Sequence, residues 1–136
     1  MKAIIRIKGQ VNVPERADEA LKRIRLLKKF ACVILKESPN VAGMLNKLTN
    51  FTAYGDINEE TFKKLVEKRG KKIDKKKSIG NVADFWQGKK KLEDLNLKPF
   101  FRLHPPRGGI DTKQNYPKGG LGNHKENINK LIERML

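Results

Sequence analysis

Along residues 1–57 the apolar pattern changes period at each turn of the chain, and that rhythm restricts the fold more than any other feature. Residues 3–8 alternate: Ala3, Ile5 and Ile7 against Ile4, Arg6 and Lys8, as in a half-buried strand. Pro14 suits the first turn of a helix, and Ala17, Ala20, Leu21, Ile24 and Leu27 then recur at helical spacing. Ala31-Cys32-Val33-Ile34-Leu35 is apolar on both faces and reads as an interior strand. Ser38-Pro39 marks a second helix start, N-cap then first helical position, with Val41, Met44, Leu45 and Leu48 as its buried stripe. Residues 51–55 complete the series as a third strand. Strand, helix, strand, helix, strand predicts one sheet with its helices on one face, an α+β sandwich of two layers.

Residues 58–97 read as a helical insertion. Asn58-Glu59-Glu60 opens a helix with acids in its first turn, Phe62, Leu65 and Val66 line its inner face, and Gly70 closes it. Lys71-Lys72-Ile73-Asp74-Lys75-Lys76-Lys77 is too charged to pack, so a solvated, mobile face and contact with phosphate compete as readings. One or two short helices follow in residues 81–97, with Trp86 as a core plug rather than a base-stacking platform. Residues 98–136 then supply a short strand at 100–103, a loop and an amphipathic helix that pack on the core. Asn123 with Glu126 three residues on reads as an N-cap pair. Ile128, Leu131, Ile132 and Met135 recur at helical spacing behind it.

The loop between that strand and that helix is the expected working surface. Pro105, Pro106, Pro117, Gly108, Gly109, Gly119, Gly120 and Gly122 interleave with Arg107, Lys113 and Lys118. Glycines let a backbone approach something large, and the cations make that something anionic. The whole chain agrees, with 31 Lys and Arg against 15 Asp and Glu and a net charge of +16. A polyanionic partner follows. No apolar run approaches the roughly 20 residues of a membrane span, and Met1-Lys2-Ala3-Ile4-Ile5 begins a strand rather than a signal core. These features predict a soluble protein of the cytoplasm, with no membrane partner. The lone Cys32 sits in an apolar run and gives no disulfide framework. Cations spread along the chain, with only 7% aromatic residues, favour phosphate and shape contacts on folded RNA over readout of DNA bases. Tyr54 and Tyr116 are the candidates for stacking.

The leading contact residues are therefore Arg102, His104, Arg107, Lys113, Lys118, Asn123 and His124, with Gly108, Gly109, Gly119 and Gly120 giving close approach. Arg6 and Lys8 of the first strand, and Arg23, Lys28 and Lys29 of the first helix, join them as secondary candidates. Gly119-Gly120-Leu121-Gly122, placed before a helix starting near His124, reads as a phosphate seat, with simple chain reversal as the competing account. It lacks the Gly-Lys-Ser/Thr ending of a nucleotide loop. One Cys and two distant His are too few for a metal site, and no cofactor is indicated. Two other classes stay open: an RNA-processing enzyme using His104 and His124 as acid and base, and a sequence-neutral packaging protein for nucleic acid. No carboxylate is placed to orient either ring.

Three stretches carry a resemblance. AIIRIKGQV at residues 3–11 with the helix through Leu26, SPNVAGMLNKLTNFTAYGDI at 38–57, and FRLHPPRGG with GGLGNHKENINKLIERM within 101–135 resemble the large-subunit ribosomal protein thirty family. The similarity is to the longer form of archaea and eukaryotes and covers most of the chain. HPPRGG and GNHKENIN look archaeal, whereas the short bacterial form resembles only about residues 1–57. The insertion at 58–97 is short for the long form, and there is no basic N-terminal extension of the eukaryotic kind. The resemblance implies a ferredoxin-like β-α-β-α-β core and a non-catalytic place in the large ribosomal subunit. It also implies direct contact with rRNA and with neighbouring large-subunit proteins, and no small-molecule substrate. The C-terminal portion would reach toward the 5S rRNA side.

Overall fold

In chain order the elements are β1 (Lys2–Arg6), α1 (Glu15–Arg23), β2 (Ala31–Leu35), α2 (Pro39–Lys47), β3 (Thr52–Asp56), α3 (Glu59–Arg69), α4 (Val82–Trp86), β4 (Phe101–Arg102), β5 (Gly122–Lys125) and α5 (Ile128–Met135), with a short 3-10 turn at Glu93–Leu95. They come from a computed structural model that describes residues 1–9, 13–80, 82–89, 91–109, 114, 116 and 119–136. The strands form one sheet in the order β4-β2-β1-β3-β5. β1 lies at its centre, antiparallel to β2 and β3; β4 is antiparallel to β2, and β5 is parallel to β3.

Register assigns the faces. Ile4 sits opposite Val33 and Tyr54, and all three point toward α1 and α2, where Ala17, Leu21, Ile24, Leu45 and Leu48 close over them. Ile5 sits opposite Cys32 and Ala53 and points the other way. There it meets Phe62, Leu65 and Val66 of α3 and Ile128, Leu131, Ile132 and Met135 of α5. So β1, α1, β2, α2 and β3 form the expected α+β arrangement with both helices on one face, and α3 and α5 cover the second face. Burial on both sides explains why β1 and β2 have hardly any polar residue between their ends.

The caps are those the sequence marks. The Ser38 hydroxyl accepts from Val41 N–H at 3.2 Å, and the Asn58 side chain accepts from Thr61 N–H at 2.8 Å. In the insertion, Phe85 and half-buried Trp86 pack on Phe62, with centroids 5.2 and 5.6 Å away. The lysine-rich segment is exposed, yet its backbone is tied down. Lys72 bridges to Leu97, and the Asn96 side chain accepts from Asp74 N–H (2.8 Å) while donating to Asp74 O (2.9 Å) and Lys77 O (3.1 Å).

Two expectations are corrected. The first helix ends at Arg23, and Arg25 takes a φ of 65°, so Leu26 enters the core at 0% exposure while Leu27 stays out at 53%. Helical spacing carried one position too far had put Leu27 inside. The last helix begins at Ile128, not near His124, and Asn123 does not cap it. Residues 122–125 instead add to the edge of β3 as β5, alternating buried Gly122 and His124 with exposed Asn123 and Lys125. The Asn123 side chain accepts from Lys125 N–H at 2.9 Å, a local turn bond. An open strand edge needs partners for its backbone groups, and that demand outweighs the capping signal. Gly55 permits the pairing: a Cβ there would lie 2.3 Å from Lys125 O and 2.9 Å from Ile128 Cβ.

Candidate nucleic-acid interface

Strand direction gathers the cations. β1 runs toward Arg6 and Lys8, and the antiparallel β2 and β3 begin beside that end, preceded by Lys28, Lys29 and Phe30 and by Phe51. β4 finishes at the same end with Arg102 opposite Ala31. α5 finishes there too, because Met135 O accepts from His104 N–H and Arg134 O accepts from Arg107 N–H, both at 3.2 Å. One end of the sheet therefore holds Lys8, Lys28, Lys29, Arg102, His104, Arg107, Gly108 and Gly109.

Backbone bonds lock this end together. Phe30 N–H donates to Arg6 O at 2.6 Å, Leu103 N–H to Phe30 O at 3.0 Å, and the amides of Ile7 and Lys8 both to Phe51 O. Arg134 donates twice to Arg107 O, at 3.0 and 2.8 Å, and also to Gly109 O. That clamp fixes a turn in which Gly108 and Gly109 adopt φ of 79° and 78°, values that side-chain-bearing residues avoid. Arg107 is thus held by its carbonyl while its guanidinium stays exposed.

Arg6 belongs to the frame, not the surface. It is 1% exposed and donates to Leu26 O (2.8 Å), Lys8 O (3.0 Å) and Gly9 O (3.4 Å). Burial lowers its pKa, with Asp18 opposing. Its role is to hold the segments that carry Lys8 and Lys28. Lys28, Lys29, Arg102 and Arg107 are exposed and Lys8 is half-buried; among the described residues none of them pairs with a carboxylate. Lys8 lies over Phe51 at 5.8 Å, Lys29 over Phe30 at 5.0 Å and Arg102 over Phe100 at 5.7 Å. Arg23 is exposed on the last turn of α1 and lines a groove between α1 and α2.

Other expected residues sit differently. His124 is 5% exposed, its Nε2 donates to Gly120 O at 2.8 Å, and its ring packs on Tyr116 at 4.6 Å. Burial lowers its pKa, with the bond to Gly120 opposing. His104 is engaged at both nitrogens, by Pro105 O at 2.6 Å and Leu136 O at 2.5 Å. The two rings serve as backbone fasteners. Gly119 and Gly120 lead into β5, not into a helix, so the phosphate seat at a helix N-terminus is not formed and chain reversal explains them. Asn123 stays exposed on β5. Tyr54 is buried, and the Tyr116 hydroxyl bonds Asn127, so neither offers a free stacking face. Lys113, Lys118 and Pro117 lie outside the described residues.

Sequence reasoning missed Phe100, Arg25 and Leu27 beside this end, and Arg134 as the loop clamp. Charge and aromaticity marked Phe100 and Arg25, but their juxtaposition depends on where α1 stops. Among the described residues, no group of three His, Cys, Asp or Glu could hold a metal, and no helix is long and apolar enough to cross a membrane.

Comparison with known proteins adds the family. Residues 2–50 match the model of ribosomal protein L30p/L7e. The large ribosomal subunit protein uL30 of Archaeoglobus fulgidus is 39% identical over 99% of both chains. The protein of that name from Staphylothermus marinus is 40% identical over 98% of this chain and 97% of its own, and that from Methanosphaera stadtmanae is 34% identical over all of both. These are ribosomal proteins, not enzymes. The first two alignments run to 151 and 157 positions against 136 residues here, so those relatives carry additional residues. Identity of 34–40% over 98–100% of this chain places it in the uL30 family of large-ribosomal-subunit proteins.

Proposed function

We propose that this protein is a structural component of the large ribosomal subunit that grips folded rRNA with the cationic end of its sheet. The observation that carries this reading is the convergence of Lys8, Lys28, Lys29, Arg102 and Arg107 at one end, without carboxylate partners among the described residues, on a chain of net charge +16. Cations fixed by a rigid frame neutralise phosphates at little entropic cost, whereas a flexible tail must be ordered on binding. Rigid spacing also favours RNA whose phosphates are already set by tertiary structure. Neighbouring large-subunit proteins are the other proposed partners. For 5S rRNA the support is the sequence resemblance of residues 98–136 alone.

Co-sedimentation tests the reading. The protein should remain on large subunits through a high-salt wash, and crosslinks should reach rRNA from residues 102–109. Release at modest salt, with crosslinks to proteins only, contradicts it. Crosslinks from residues 98–136 to the 5S molecule decide that partner separately.

A further inference from the structure

Beside the cationic end, Leu27, Ala31 and Phe100 floor a cavity of about 210 Å³ whose remaining walls are Arg25, Lys28 and Arg102. Leu27 is 53% exposed, unusual for a large aliphatic side chain, and the half-buried Phe100 ring faces the same space. Among the described residues no carboxylate lines the cavity; Glu93 pairs with Arg25 at its edge, at 2.8 Å. From these observations we infer that the cavity receives a single unstacked RNA base. The inference rests on the RNA-binding reading above.

Shape and chemistry select this occupant. The space is small beside the ~300–1,000 Å³ of typical ligand pockets and cannot take a packed peptide helix. Its floor offers apolar contact and a ring face, which suit a flat aromatic group. Its rim offers Lys28 and Arg102, which pair with no carboxylate among the described residues and suit the phosphates on either side of that group. A nucleotide unites a flat ring and flanking anions; an acidic peptide side chain lacks the ring, and an apolar one lacks the charge. Arg102 sits over Phe100 at 5.7 Å, and an entering base would stack against this cation–ring pair. The broad phosphate-binding end would then hold one splayed nucleotide as a register pin. A uniform duplex would leave the cavity empty, so the RNA bound here carries a bulge or loop.

Ultraviolet crosslinking of the full chain to large-subunit rRNA, with mass spectrometry of the adducts, tests this together with binding titrations. A nucleotide adduct should map to Phe100. Phe100→Leu keeps apolar volume but loses the stacking plane; it should weaken rRNA binding about tenfold with an unchanged salt slope. Phe100→Trp should bind within about twofold of the native chain, and Arg102→Gln should lower the slope by about one. Native affinity in Phe100→Leu, adducts only at other residues, or a protein segment crosslinked to Phe100 would each overturn the base site while leaving rRNA binding intact. If the native chain itself shows no rRNA binding, the functional reading fails first and this one with it. Matched thermal melts of the Leu and Trp variants separate loss of stacking from loss of fold.

Discussion

Arg6 shows how a charge can be read wrongly from its place in a strand. Alternation put Ile5 and Ile7 inward and Arg6 outward, yet burial of both sheet faces encloses all three. The guanidinium survives there because backbone carbonyls of Lys8, Gly9 and Leu26 accept its protons. Arg6→Met should therefore lower stability by about 3 kcal/mol in urea unfolding, by orphaning those carbonyls, and leave the salt dependence of RNA binding unchanged. A lysine has no planar fork to reach the same acceptors and should fare little better. His124 predicts a pH effect of definite sign. Its folded pKa lies below the ordinary value of about 6.5, so the unfolded chain takes up the proton first. The stability contributed by neutral His124 is complete above about pH 6.5 and declines as pH falls from there toward the folded pKa. Urea midpoints for the native chain should thus drop more between about pH 7.5 and 5.5 than those of His124→Phe. Equal drops would show that burial of this ring does not couple to protonation.

At the scale of elements, the first three strands, both core helices and the opening of α3 were legible because period and caps agreed locally. The C-terminal segment was not, because β5 exists only in the presence of the β3 edge. Nothing within Gly122-Asn123-His124-Lys125 encodes a strand; the pairing is supplied across the sheet, and Gly55 makes room for it. Gly55→Ala should push β5 and α5 outward, costing about 1–3 kcal/mol, with faster amide exchange at residues 122–135 while β1 and β2 stay protected. Uniform protection throughout would mean that the chain absorbs the methyl group without moving β5. The lysine-rich segment was legible in composition but not in anchorage, since Asn96, a residue 19–22 positions away, holds its backbone. The candidate site divides the same way. Lys28, Lys29, Arg102 and Arg107, singled out by charge, are exposed, whereas His124, Arg6 and the run Gly119–Gly122 were given surface duties that burial and strand pairing reassign to the frame.

For the whole molecule, the antiparallel order of the central strands turns scattered basic residues into one surface. Lys8, the Lys28–Lys29 pair and Arg102 are distant in sequence and share one end only because β1, β2 and β4 present it. Three aromatic rings lie beneath three of those cations, so the surface is firm as well as charged. Firm cations make a quantitative claim, since each phosphate neutralised releases counterions and adds about 0.9 to the log–log salt slope. The most direct test compares rRNA affinity across salt for the native chain and for one bearing Lys28→Gln, Lys29→Gln, Arg102→Gln and Arg107→Gln. The account predicts a slope shallower by about three to four, with unfolding unchanged. Parallel lines of equal slope would contradict it, by showing that this end of the sheet does not meet the RNA.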